Sequence, residues 1–219
     1  MNPYDAIGKA HNKGLDFIVE KLNPQEEIKY ERIVELASDY LVSLKTGGKH
    51  EDCNDMKEDF IFGYVAVGKT MNLLSSYSTK ELMTMGEFNQ KQICFIESVL
   101  NVSDERDLDR EGTLKILMNI EEQMLKSDLT AKELEIPLIT VSIAKYSVKY
   151  FMEQIKSGKS EWINFLGKDL AKLKWPWKAD GKGAVGGALG GIAGGAGGVI
   201  LGGIGGALGS SVAAALGLS

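Results

Sequence analysis

Gly63-Tyr64-Val65-Ala66-Val67-Gly68-Lys69-Thr70 fits GxxxxGK[ST], the spacing of a phosphate-binding loop. In such a loop backbone N–H groups cradle the phosphates, Lys69 would reach the β/γ oxygens, and Thr70 would face magnesium. That chemistry needs a strand before the loop, a helix after it and a parallel sheet around it. Only Phe60-Ile61-Phe62 could serve as the strand, with Ile93–Glu97 as the strand carrying an acid, and no βα alternation follows. The loop interior, Tyr-Val-Ala-Val, is bulky where a backbone must curl around an anion. Phe60, Tyr64, Val67 and Met71 share one helical face, so a buried helix is the expectation. Nucleotide binding through Gly63, Gly68, Lys69 and Thr70 stands as the alternative.

Other chemistry is sparse, because the 219 residues include only two histidines and two cysteines. His11 lies on an apolar helix face, where a hydrogen-bonded core histidine is expected. His50 and Cys53 have H-x-x-C ligand spacing, but no second pair completes a metal site, and Glu51, Asp52 and Asp55 read as a solvated loop. No Ser/His/Asp or Cys/His set can be assembled. The expectation is no catalytic residue, no metal and no cofactor, with Cys53 and Cys94 as reduced core thiols.

A different physical signal fills the C-terminal end. Gly186, Gly190, Gly194, Gly198, Gly202 and Gly206 recur at every fourth position, beside a second row of Gly187, Gly191 and Gly195. In a helix these rows make a flat groove opposite a ridge of Ile192, Ile200, Ile204 and Leu208. Such grooves let helix backbones approach closely in lipid, where dispersion and Cα–H···O contacts replace a hydrophobic drive. The row from 186 to 206 would rise roughly 30 Å, about one hydrocarbon core. In water the 12 glycines of residues 185–206 would cost an isolated helix about 12 kcal/mol of propensity against alanine. The tail therefore calls for packing, either against another copy or against itself as a hairpin bent near Gly197-Gly198.

Charge divides the chain into three regimes. Residues 183–219 carry no charged side chain and hold 15 of the 26 glycines. Residues 156–182 set seven lysines against Glu161, Asp169 and Asp180, a net of +4, which leaves −9 on the first 155 residues. An acidic body argues against nucleic acid as a partner. Lys172, Lys174, Trp175, Trp177 and Lys178 abut the uncharged tail, and this mixture suits the boundary between a bilayer and anionic headgroups. The opening MNPYDAIGKA has neither a basic n-region nor an apolar h-region. No secretory signal peptide is expected, which points to the cytoplasmic side of an inner membrane or to non-classical export.

The elements that position these residues read as helices. Asn2-Pro3 and Asn23-Pro24 look like helix starts. Tyr4, Ile7, His11, Leu15, Ile18 and Leu22 form one face, and Tyr30, Ile33, Ala37, Leu41 and Leu44 another, which Gly47-Gly48 closes. Ser78–Glu81 and Thr130–Glu133 fit the capping box. Leu114, Leu117, Met118, Glu121 and Leu125 continue the pattern. So do Leu138, Val141, Ala144, Tyr146, Val148, Phe151, Met152 and Ile155, up to Gly158. The predicted fold is all-α: a bundle of five to seven helices over 1–157, a basic neck at 158–182, and a glycine-zipper helix or helical hairpin at 183–219.

The opening Asn2-Pro3-Tyr4-Asp5, Gly8, His11-Asn12 and Leu15-Asp16 resembles the NPYDxxGxxHNxxLD start of uncharacterised bacterial proteins of the Bacteroidota. Those proteins also look helical and end, after stretches like Ala144-Lys145-Tyr146-Ser147 and Ala179-Asp180, in a glycine-zipper tail. The tail is likewise similar to the glycine zippers of small bacteriocins and contact-dependent toxins, which implies membrane-active killing. The combined expectation is a membrane-associating protein that self-assembles through its tail, with membrane lipid and a second copy as partners. The alternatives are a phosphate-loop protein and a scaffold or immunity protein whose tail docks a partner.

Overall fold

Reciprocal caps start three of the helices. Ser78 and Glu81 exchange side-chain and backbone hydrogen bonds at the head of one, and Thr130 and Glu133 do so at another. Asn89 and Gln92 form a third box that the sequence reading passed over. The structure is a computed structural model and describes residues 1–46, 68, 76–102, 110–157, 161–166, 177–191 and 195–218. No strand occurs among them, so the chain is all-α.

The helices are α1 (Asp5–Lys21), α2 (Tyr30–Thr46), α3 (Thr79–Met85), α4 (Gln90–Asn101) and α5 (Arg110–Leu125), then α6 (Ala131–Ser157), α7 (Ile163–Leu166), α8 (Trp177–Gly190) and α9 (Gly195–Ala215). The expected faces of α1 and α2 are buried through Ile7, His11, Leu15, Ile18, Ile33, Ala37 and Leu41, while Leu44 is exposed. Asn23-Pro24 does not start α2. The Asn23 side chain accepts from the Gln25 N–H at 3.0 Å and its carbonyl from the Glu26 N–H, so this stretch is a turn. On α5 the buried face is Thr113, Leu117, Ile120 and Met124, which leaves Met118 and Leu125 outside. Cys94 is exposed rather than core, because α4 buries its Gln92, Ile96, Val99 and Leu100 face instead.

The central element is α6. It packs against α1, α4, α5, α8 and α9, and its residues from Ile136 to Ala144 are all buried. Pro137 lies inside it, so the Glu133 carbonyl loses its usual donor one turn back. The Gln92 side chain supplies the replacement at 2.8 Å, and Asn89 donates to the Glu133 carboxylate at the same distance. Thus α4 is stitched to α6 where the helix's own ladder is interrupted.

The C-terminal end doubles back as an antiparallel pair, α8 and α9, and this pair sits inside the body. α8 packs on α6, α3 and α4, and α9 packs on α2, α1 and α6. Ala184, Val185, Ala188, Ala207, Leu208 and Val212 are fully buried within one continuous core.

Candidate functional site

Glycine decides how α8 and α9 meet. Gly183 faces Gly206, Gly187 faces Gly202, and Gly191 faces Gly198. A methyl group added at Gly187 would run into the Gly202 carbonyl oxygen, and one at Gly191 into that of Gly198. The obstruction is reciprocal, since a Cβ at Gly198 or Gly202 meets the carbonyl of Gly191 or Gly187. The two backbones therefore touch directly, which is the close approach expected of glycine rows.

The turn lies elsewhere than expected. α8 ends at Gly190 and α9 starts at Gly195, so the row from Gly186 to Gly206 is not one unbroken helix, and the reversal precedes Gly197-Gly198. Reversing the chain there selects a different row on each side. α9 contributes Gly198, Gly202 and Gly206, whereas α8 contributes Gly183, Gly187 and Gly191. Gly186 is buried and Gly190 half-buried, and Gly194 lies outside the described residues.

Four helices of the body hold this pair by notches and knobs. Leu208 fills the space over Gly14, where a Cβ would lie 2.6 Å from its Cδ1 and 2.8 Å from the Tyr40 ring. Leu189 fits over Gly86. On the far side Ile139 Cγ2 lies 3.3 Å from a Cβ built at Gly203, and Leu100 abuts Gly181.

Polar contacts fasten the same seam. Asn12 Nδ2 donates to the Tyr146 carbonyl at 2.9 Å, so its Oδ1 is left to accept from His11 Nδ1 at 3.2 Å. His11 Nε2 then accepts from the Ser211 hydroxyl of α9 at 3.4 Å. Ser147 of α6 donates to the Asp180 carboxylate of α8. The seam register places Asp180 level with Gly209, two residues from Ser211. Both ties therefore grip the pair at the end away from its turn. His11, Ser147, Asp180 and Ser211 are all fully buried, so they are internal fasteners out of reach of a substrate. Burial drives His11 down to about 4, against the weaker opposing effect of its bond to Asn12.

The remaining residues of the N-terminal pattern dock α1 onto α6. Lys145 Nζ lies 2.7 Å from Asp5 and 2.6 Å from Glu121, and Asn2 bridges Glu121 and the Leu138 carbonyl. Burial pulls the Lys145 ammonium down, but its bonds to Asp5 and Glu121 outweigh that and hold it above the ordinary lysine value. Ser142 donates to the Tyr4 carbonyl at 3.0 Å. Gly8 lets the helices close, since a Cβ there would sit 2.7 Å from the Ser142 carbonyl oxygen. Trp162 Nε1 donates to the Tyr150 hydroxyl, which donates to Asp16. Burial, seconded by the Asp16 charge, raises Tyr150 far above the ordinary tyrosine value.

Sequence reasoning missed Lys145, Gln92, Trp162 and Gly183. A lysine directly after the uncharged run from Ile136 to Ala144 was the available signal for the first. Of Gly63, Gly68, Lys69 and Thr70 only Gly68 lies within the described residues, and it is helical. His50, Cys53, Lys172, Lys174 and Trp175 lie outside them, Trp177 is the first residue of α8, and Lys178 is half-buried. No group of three His, Cys, Asp or Glu that could hold a metal occurs among the described residues. Among the same residues one helix is long and apolar enough to cross a membrane, over Gly198–Ala215, with mean hydropathy 1.6, and 78% of that stretch is buried. A core helix has the same composition. Neither a family model, nor a curated protein, nor a solved structure matches this chain.

Proposed function

We propose that the chain is a bacterial, non-enzymatic, membrane-associating protein whose body sheathes an apolar helical hairpin until the hairpin is released. Once out, α8 and α9 enter a bilayer and self-associate through glycine faces, in the manner of an antagonistic or pore-type factor. The observation that carries this reading is the hairpin itself: α9, a charge-free helix of spanning length, meets the charge-free part of α8 from Gly183 onward by backbone contact rather than side-chain interlock. The basic neck gives the released hairpin an approach to anionic headgroups.

The depth of the hairpin's burial favours a second reading, a scaffold or immunity protein in which the tail is a permanent core element. A covalent lock separates the two. Ile139→Cys with Gly203→Cys places two thiols across α6 and α9, since a Cβ at Gly203 lies 3.3 Å from Ile139 Cγ2, an atom bonded to the Ile139 Cβ. Cys53→Ser and Cys94→Ser remove the competing thiols. The reduced chain is expected to float with anionic vesicles and form tail-dependent oligomers, and the oxidised chain to stay in the aqueous fraction. Reduced chain that never floats, at neutral or acidic pH, decides for the scaffold.

A further inference from the structure

We propose that His11 is a proton-operated fastener of the hairpin, and that proton uptake by its buried imidazole releases α9 from α1. The membrane consequence rests on the function proposed above, whereas the release itself does not.

The geometry carries the inference. His11 is fully enclosed between α1 and the hairpin, and its Nε2 is an acceptor for a residue 200 positions later in the chain. That acceptor atom is where a proton would add. A protonated ring keeps its bond to Asn12, its Nε2 changes from acceptor to donor so that the Ser211 hydroxyl must reverse, and the ring becomes a buried cation facing a helix with no carboxylate to answer it. α9 carries no ionisable side chain. From α2 comes Tyr40, whose hydroxyl donates to the Ala10 carbonyl. From α6 come Lys145, committed to Asp5 and Glu121, together with Tyr146 and Tyr150. α8 brings Asp180, which is hydrogen-bonded to Ser147. On α1 itself Lys9 and Lys13 lie two residues away, and Asp5 and Asp16 more than a turn away, the last bound to Tyr150. No charged group enters as a cause of the His11 shift, which is desolvation opposed by Asn12. Release moves α8 and α9 out and leaves α1, α2 and α6 in place. Asp180 is then the other buried carboxyl whose surroundings change with the hairpin.

The sign follows from linkage. The closed state holds His11 neutral down to about 4, while the released state titrates near the ordinary 6.5. The full stabilising effect of the neutral ring is present above 6.5 and is lost as pH falls from there towards 4. Each pH unit in that window shifts the open/closed ratio about tenfold, to a limit of about 300-fold.

The test uses the full chain with His50→Gln, which leaves His11 as its one histidine. Hydrogen exchange of α9 amides is followed without lipid while the His11 ring protons are titrated by NMR. The expected result is loss of α9 protection on acidification, tracking protonation of His11 in the released state, with α5 and α6 still protected. His11→Gln should flatten this profile, and Asp180→Asn should leave its midpoint in place. Unchanged α9 protection from about pH 7.5 to about 4.5 overturns the proposal. So does a His11→Gln chain that releases α9 at the same pH. Should His11→Gln fail to fold, a release midpoint that does not coincide with the His11 titration overturns it equally. Release without flotation on anionic vesicles would sink the membrane reading and leave the fastener standing.

Discussion

Adding one methyl group at Gly187 tests whether α8 and α9 depend on backbone contact. The new Cβ would overlap the Gly202 carbonyl, a group that cannot rotate aside. Restoring ordinary contact moves the helices apart by roughly 1 Å, and such gaps forfeit a quarter to a half of each dispersion contact. Overpacking of this kind costs about 3 kcal/mol at the upper end of its usual range. Alanine regains about 1 kcal/mol over glycine in helix propensity, so the net loss is about 2 kcal/mol. Gly203 provides the internal control, because its nearest obstruction is the Ile139 side-chain methyl at 3.3 Å, which can yield. Gly203→Ala should therefore lie between neutral and a gain of about 1 kcal/mol. Urea unfolding of both variants at neutral pH measures the difference, with the midpoint compared at constant slope. If Gly187→Ala proves as stable as Gly203→Ala, the helices are not in backbone contact and the seam described above is wrong.

Two further perturbations probe the frame that holds the hairpin. Lys145→Met strands Asp5 and Glu121 beside each other, and should cost about 3 kcal/mol in urea unfolding, the low end for a broken buried pair, because the Asp5 side chain keeps 26% exposure. Gln92→Leu removes the donor to the Glu133 carbonyl beneath Pro137. It should cost about 1–3 kcal/mol and speed amide exchange in the first turns of α6, whereas Gln90→Leu on the exposed face should do neither.

What could be read from residues alone was local. The boxes at Ser78 and Thr130 announce helices because cap and acid lie three residues apart and need nothing from the rest of the fold. The His11 face was legible for the same reason, since a period of 3.6 shows what is buried. It does not show against what. The partner of His11 is Ser211, that of Asp5 is Lys145, and that of Ser147 is Asp180, and no local spacing encodes such pairings. Asn23-Pro24 misled because asparagine before proline suits an Asx turn as well as a helix start, and only the later residues decide between them. The glycine rows misled in a related way. A repeat of four fixes which residues share a face if the helix continues, but here one helix ends at Gly190 and the next starts at Gly195, so each presents a different stripe. Trp162 shows the converse. Its own neighbourhood mixes polar and apolar residues without a clear face, yet it is 1% exposed because its indole reaches Tyr150, which is held in turn by Asp16.

The order of the chain has a consequence for its synthesis. Leu208 and Ser211 seat against Gly14, Tyr40 and His11, so α9 inserts between two helices that leave the ribosome well before it. The chaperone-sensitive interval is therefore one in which α1, α2 and α6 present an open cleft while the stretch most prone to aggregate has yet to emerge. A product stalled before α9 would display that cleft without its plug, and both surfaces are buried once Leu208 and Ser211 have emerged.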